Sequence, residues 1–88
     1  MMPKLAKKAR LRFDRHSSRH MIVYPERGLE LNDSAAAIAK RCDGTRTVSE
    51  IADEIALEAA VPAAERRGLE QDVEEFVELL AQKGLLEP

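Results

Sequence analysis

Between Gly28 and Ile51 the chain changes its hydrophobic period twice, and this limits what it can fold into. Gly28-Leu29-Glu30-Leu31 alternates polar and apolar, the period of a short strand. Asn32 or Asp33 then offers a side-chain acceptor to the first amides of a helix. Ser34–Arg41 is rich in alanine, the strongest helix former. Ala35, Ala36 and Ala37 let that helix lie close to a sheet, and Ile38 is its one large anchor. Cys42-Asp43-Gly44 ends it, with Gly44 suited to a left-handed cap. Thr47-Val48-Ser49-Glu50 is a capping box, in which the Thr47 hydroxyl and the Glu50 carboxylate each accept from the other residue's amide. A strand must therefore run directly into a helix, and a second helix must start a few residues later.

The flanking segments supply what this unit packs against. In Arg10–Arg15, Leu11 and Phe13 face one way and Arg10, Arg12 and Asp14 the other, which predicts a half-buried strand. His16-Ser17-Ser18 reads as a turn, and Arg19–Tyr24 as a second strand through Met21, Ile22, Val23 and Tyr24. Pro25 ends it, and Pro25-Glu26-Arg27-Gly28 reads as a tight turn in which Gly28 supplies permissive backbone angles. Downstream, Val48, Ile51, Ala52, Ile55, Ala56 and Ala59 recur at helical spacing until Pro62. Ala63–Lys83 carries a further stripe of Leu69, Val73, Phe76, Val77 and Leu80 under an acidic face, and Gly84 stops it before Leu85-Leu86 tuck under the domain. The expected fold is α+β: a three-stranded antiparallel sheet followed by three helices, a small winged helix-turn-helix-like domain over residues 10–88. Residues 1–9 are expected to be a flexible basic arm.

Eighty-eight residues make one small domain with a modest core. With one tyrosine, two phenylalanines and no tryptophan, that core must be built from Leu, Ile, Val and Ala. No apolar run is long enough to cross a bilayer, and the first residues lack the apolar segment of a signal peptide. With its lone cysteine the chain is expected to be a reduced, cytoplasmic protein. The net charge of −2 hides a split: residues 1–27 carry +6 and residues 28–88 carry −8. Such a division suits a basic arm meeting an acidic partner, or the acidic half of a second copy in a homodimer. It equally suits a solvated strand face.

No catalytic set is apparent. His16 and His20 are separated by a turn with no further ligand nearby, so no metal site is expected. Cys42 beside Asp43 is disfavoured as a thiolate and reads as a small buried hydrophobe. The chain shows no phosphate loop and no Ser/His/Asp set, so a binding module without a cofactor is expected rather than an enzyme. A winged-helix DNA-binding protein is the alternative. Against it, Glu65–Lys83 carries a net charge of −3, whereas a helix meeting phosphates is expected to be basic. What remains is a short strand beside an apolar helix stripe. That geometry suits β-augmentation, in which a peptide adds a strand by main-chain hydrogen bonds. Leu31→Pro would then remove a ladder amide.

Several runs resemble the PqqD family of pyrroloquinoline quinone (PQQ) biosynthesis. They are Arg12-Phe13-Asp14, Tyr24-Pro25-Glu26, Leu31-Asn32-Asp33-Ser34-Ala35-Ala36-Ala37-Ile38, Cys42-Asp43-Gly44, Thr47-Val48 and Glu50-Ile51. They span nearly half the chain in order. The resemblance implies a peptide chaperone, a recognition element for ribosomally made, modified peptides. Such a protein holds the precursor peptide PqqA and presents it to the radical S-adenosylmethionine enzyme PqqE, which carries the iron–sulfur chemistry. It also implies binding along the third strand and third helix: Leu29, Glu30 and Leu31 for the ladder, and Val73, Phe76, Val77 and Leu80 for the groove. No nucleic acid and no membrane enters that role.

Overall fold

The structure, a computed structural model, describes residues 1–25 and 27–88. Three strands, β1 (Arg10–Asp14), β2 (Arg19–Tyr24) and β3 (Arg27–Leu31), form an antiparallel meander in the order β1-β2-β3. Three helices follow: α1 (Asp33–Lys40), α2 (Val48–Glu58) and α3 (Arg66–Gln82), the last entered through a single 3-10 turn at Ala63–Glu65. The order and the sheet are those expected from the sequence.

Register explains the faces. Leu11 stands opposite Ile22, and Ile22 opposite Leu29; Phe13 stands opposite His20, and His20 opposite Leu31. Side chains alternate across a strand, so these residues share the face that meets the helices. Ile22, at its centre, is fully buried. Arg10, Arg12, Met21, Val23 and Glu30 occupy the outer face. From the helical side Ile51, Val73, Leu80 and Leu85 close the core, all at most 1% exposed. Burying an aliphatic side chain of this size contributes roughly 1.5–3 kcal/mol, so a few such residues hold the domain.

The helix boundaries are set by the caps seen in the sequence. The Asn32 side chain accepts from the Ala35 amide at 2.7 Å and starts α1. At α2 both halves of the capping box are made: the Glu50 amide donates to the Thr47 hydroxyl at 3.1 Å, and the Thr47 amide donates to the Glu50 carboxylate at 2.9 Å. Thr47→Ala removes one half and is expected to cost about 1 kcal/mol, read as a lower urea midpoint with unchanged slope. Gly44 has a φ of +84° but is not the cap of α1: the helix closes at Arg41, and the Gly44 amide donates instead to the Pro3 carbonyl. Gly28 differs, since its φ is not positive. A Cβ there would lie 2.9 Å from the Met21 Cε, so glycine at this position makes room for a neighbouring side chain rather than supplying a turn conformation.

The N-terminal segment departs from the flexible arm expected for residues 1–9. Leu5 donates its amide to the Cys42 carbonyl, and Ala6 donates to Leu85. Gly44 and Glu87 donate in turn to the carbonyls of Pro3 and Lys4. Residues 3–6 thus lie as a strap between the Cys42-Asp43-Gly44 turn and the C-terminal tail, and Pro3 and Ala9 are buried. Its lysines point to no apolar partner in sequence, but the strap is held by its main chain, which any residue type supplies.

Candidate functional site

The third strand pairs with β2 only, so its other side is a sheet edge among the described residues. Which groups face outward follows from the turn. Only two residues separate the paired Tyr24 and Arg27, and so short a connection closes on a hydrogen-bonded pair. Hydrogen-bonded and non-hydrogen-bonded pairs alternate along an antiparallel ladder. Ile22–Leu29 and His20–Leu31 are therefore also hydrogen-bonded, and the amides and carbonyls of Gly28 and Glu30 turn away from β2. This moves the free ladder amide from Leu31, where the sequence reading set it, to Glu30 and Gly28. The Leu31 side chain is 5% exposed and belongs to the core. The Glu30 side chain is exposed on the outer face, 2.6 Å from the Arg19 guanidinium. Leu29 is half-buried against the core.

On α3 the expected groove residues separate into two groups. Val73, Val77 and Leu80 are 0%, 3% and 0% exposed. Their side chains hold the helix to the core, which corrects their assignment to a groove wall. Phe76 is only partly buried. Helical spacing puts Leu69 and Leu79 on the flank of Phe76, and Leu79 is 40% exposed. The sequence reading missed Leu79. The signal was the Leu79-Leu80 pair itself, because adjacent helical residues point about 100° apart and cannot both enter one core.

Charged groups elsewhere are committed to holding the helices together. Arg41 donates to Glu54 at 3.3 Å, to Glu58 at 2.7 Å and to the Ala37 carbonyl at 2.9 Å. Arg46 reaches Glu54 at 2.6 Å and Asp43 at 2.9 Å. Hydrogen bonds from the Thr45 hydroxyl and amide, and then from Arg46, hold the Asp43 carboxyl below the usual carboxylate range. Arg66 is clamped by Asp53 at 2.6 Å, Glu70 at 3.0 Å and the Ser49 carbonyl at 3.0 Å. A cation so engaged is not offered to a nucleic-acid phosphate, which weakens the DNA-binding alternative. Burial, and secondarily the neighbouring Asp43, push the Cys42 thiol up to about 11, so at neutral pH it carries almost no thiolate. The His20 ring meets Phe13 edge-on with centroids 5.0 Å apart.

The chain is similar to known proteins over nearly its whole length. Residues 19–86 match the family model described as Coenzyme PQQ synthesis protein D (PqqD). A "PqqA binding protein" of Xanthomonas euvesicatoria is 42% identical over 84 residues, covering 96% of this chain and 88% of its own. The solution structure of the PqqD portion of Methylobacterium extorquens PqqCD, described as a stand-alone recognition element for ribosomally synthesised peptides, is 36% identical. It superposes with a TM-score of 0.76 over 98% of this chain and 88% of that one. A lasso peptide synthetase B1, solved with its leader peptide, shares the fold alone: TM-score 0.77 at 19% identity, with both chains fully covered. With more than half its length matched by the family model and a relative of this identity aligned nearly end to end, the chain belongs to the PqqD family.

Proposed function

We propose that this chain is a non-catalytic peptide chaperone of PQQ biosynthesis, which binds the precursor peptide PqqA by strand addition and presents it to the radical S-adenosylmethionine enzyme PqqE in the cytoplasm. The observation that carries the reading is the free edge of β3, whose Gly28 and Glu30 main-chain groups face away from the sheet. A guest strand pairs with those groups, and each hydrogen bond contributes a net of about 0.5–1.5 kcal/mol. Alternate guest side chains then fall on the two faces of the sheet. Those on the inner side extend the row of Leu29 and Leu31 on the helix-facing side of the sheet, and Phe76 and Leu79 are the α3 residues with exposed apolar surface to receive them. Those on the outer side extend the row of Gly28 and Glu30, beside Met21.

Relatives support the choice of guest. The protein from Xanthomonas euvesicatoria is named for binding PqqA, and the Methylobacterium extorquens domain is described as a recognition element. No helix among the described residues is long and apolar enough to cross a membrane. Titrating isotope-labelled protein with a PqqA-like precursor peptide is expected to shift the amides of residues 28–32 and of Leu69, Phe76 and Leu79. Spectra unchanged at high micromolar peptide would retire the reading.

A further inference from the structure

The third helix has a second flank. Successive helical residues turn by about 100°, so Glu70, Glu74 and Glu78 stack on the side roughly opposite Phe76 and Leu79. Between that flank and the start of α2 lies a cleft of about 510 Å³. Val48, Val77 and Ala81 give it apolar lining, and the three glutamates give it an acidic wall. Arg66 neutralises Glu70 at 3.0 Å. Among the described residues no cation pairs with Glu74 or Glu78. Like charges four residues apart repel on a helix, so this wall is left unfavourable in the isolated chain.

A carrier that presents a peptide needs two surfaces that do not overlap, one for the guest and one for the protein that acts on it. The cleft is lined by the start of α2, by α3 and by Met1, with no residue from the sheet, and its glutamates lie on the flank of α3 roughly opposite Phe76 and Leu79. Its chemistry calls for a partner segment with an apolar anchor flanked by Lys or Arg. We propose that this cleft is the docking surface for the peptide-modifying enzyme, which enters it through such a basic, singly anchored segment. The proposal rests on the presentation role above. It places enzyme and peptide on opposite flanks of one helix, so both are held at once.

The test uses the full chain, the purified radical enzyme and the precursor peptide. Glu74 and Glu78 are exposed, so Glu74→Lys/Glu78→Lys leaves the core untouched. The double variant is expected to bind the enzyme about tenfold or more weakly, while its affinity for the peptide changes by less than about twofold. The corresponding Gln variant should fall between, with a shallower dependence on salt. Unchanged enzyme affinity in the Lys variant overturns the proposal. So does a peptide affinity that falls in step, which would give the cleft to the guest. A dimer of the wild-type chain that the reversal dissolves in sedimentation, with enzyme affinity retained, would give the cleft to a second copy and also overturns it. A wild-type chain that binds peptide but no enzyme removes the presentation role itself, and the cleft's role with it.

Discussion

Leu80→Ala is expected to lower the stability of the chain by about 2–5 kcal/mol, while the fraction that stays folded still binds peptide. Leu80 is fully buried and closes the same core as Ile22, Ile51, Val73 and Leu85. Truncating it removes the transfer free energy of the lost methyl groups. It also opens a cavity that the surrounding core can only partly fill. A domain of this kind has about 5–15 kcal/mol in total, so the loss is a large share of it. Thermal melting should fall by more than about 10 °C. The measurement also separates two roles for α3. Were Leu80 a groove residue, truncation would weaken peptide binding and leave melting almost unchanged. Leu79→Ala is the complement: Leu79 is 40% exposed, so stability should hold while peptide affinity falls. A Leu80→Ala variant that melts like the parent and fails to bind would return Leu80 to the groove.

The contrast between these neighbouring leucines shows where sequence reasoning reached and where it stopped. Element order was legible because its signals are local. The Asn32 cap and the Thr47–Glu50 box each act within a few residues and recur unchanged in the structure, whereas the β1 alternation holds at Leu11 but not at Phe13, which is 53% exposed at the strand's far end. Strand β3 was legible as a short strand for the same reason. The helical half of the site was not. Val73, Phe76, Val77 and Leu80 share one stripe, and periodicity tells only that the stripe faces the protein. Whether a residue sits at the middle or the rim of that contact depends on how α3 lies against α1 and α2, which no local pattern encodes. The N-terminal strap was missed for a related reason: its hydrogen bonds join main chain to main chain, and its basic composition suggested solvent. The outward amides needed register as well as strand identity, because a shift of one residue exchanges inward and outward groups.

That register leads to the sharpest functional expectation. Glu30→Pro is expected to weaken precursor-peptide binding by about 2 kcal/mol or more, roughly thirtyfold, with little change in melting. Proline has no amide to donate, so a guest carbonyl brought to this edge would be desolvated without a partner, costing about 1–3 kcal/mol beyond the lost bond. The fold should tolerate the change, because proline is accepted in edge strands where the amide faces away from the sheet. The Glu30 side chain is exposed, so no core contact is lost. Glu30→Ala is the control. It keeps the amide and removes only the exposed ion pair with Arg19, so affinity should stay near that of the parent. Leu29→Pro should behave differently from both. Its amide faces β2, so the substitution breaks the hairpin and lowers stability before any question of binding arises. If Glu30→Pro melts and binds like the parent while Leu29→Pro unfolds, the edge is correctly oriented but no strand adds to it. The peptide would then be held by side-chain contacts with the flank of α3 alone.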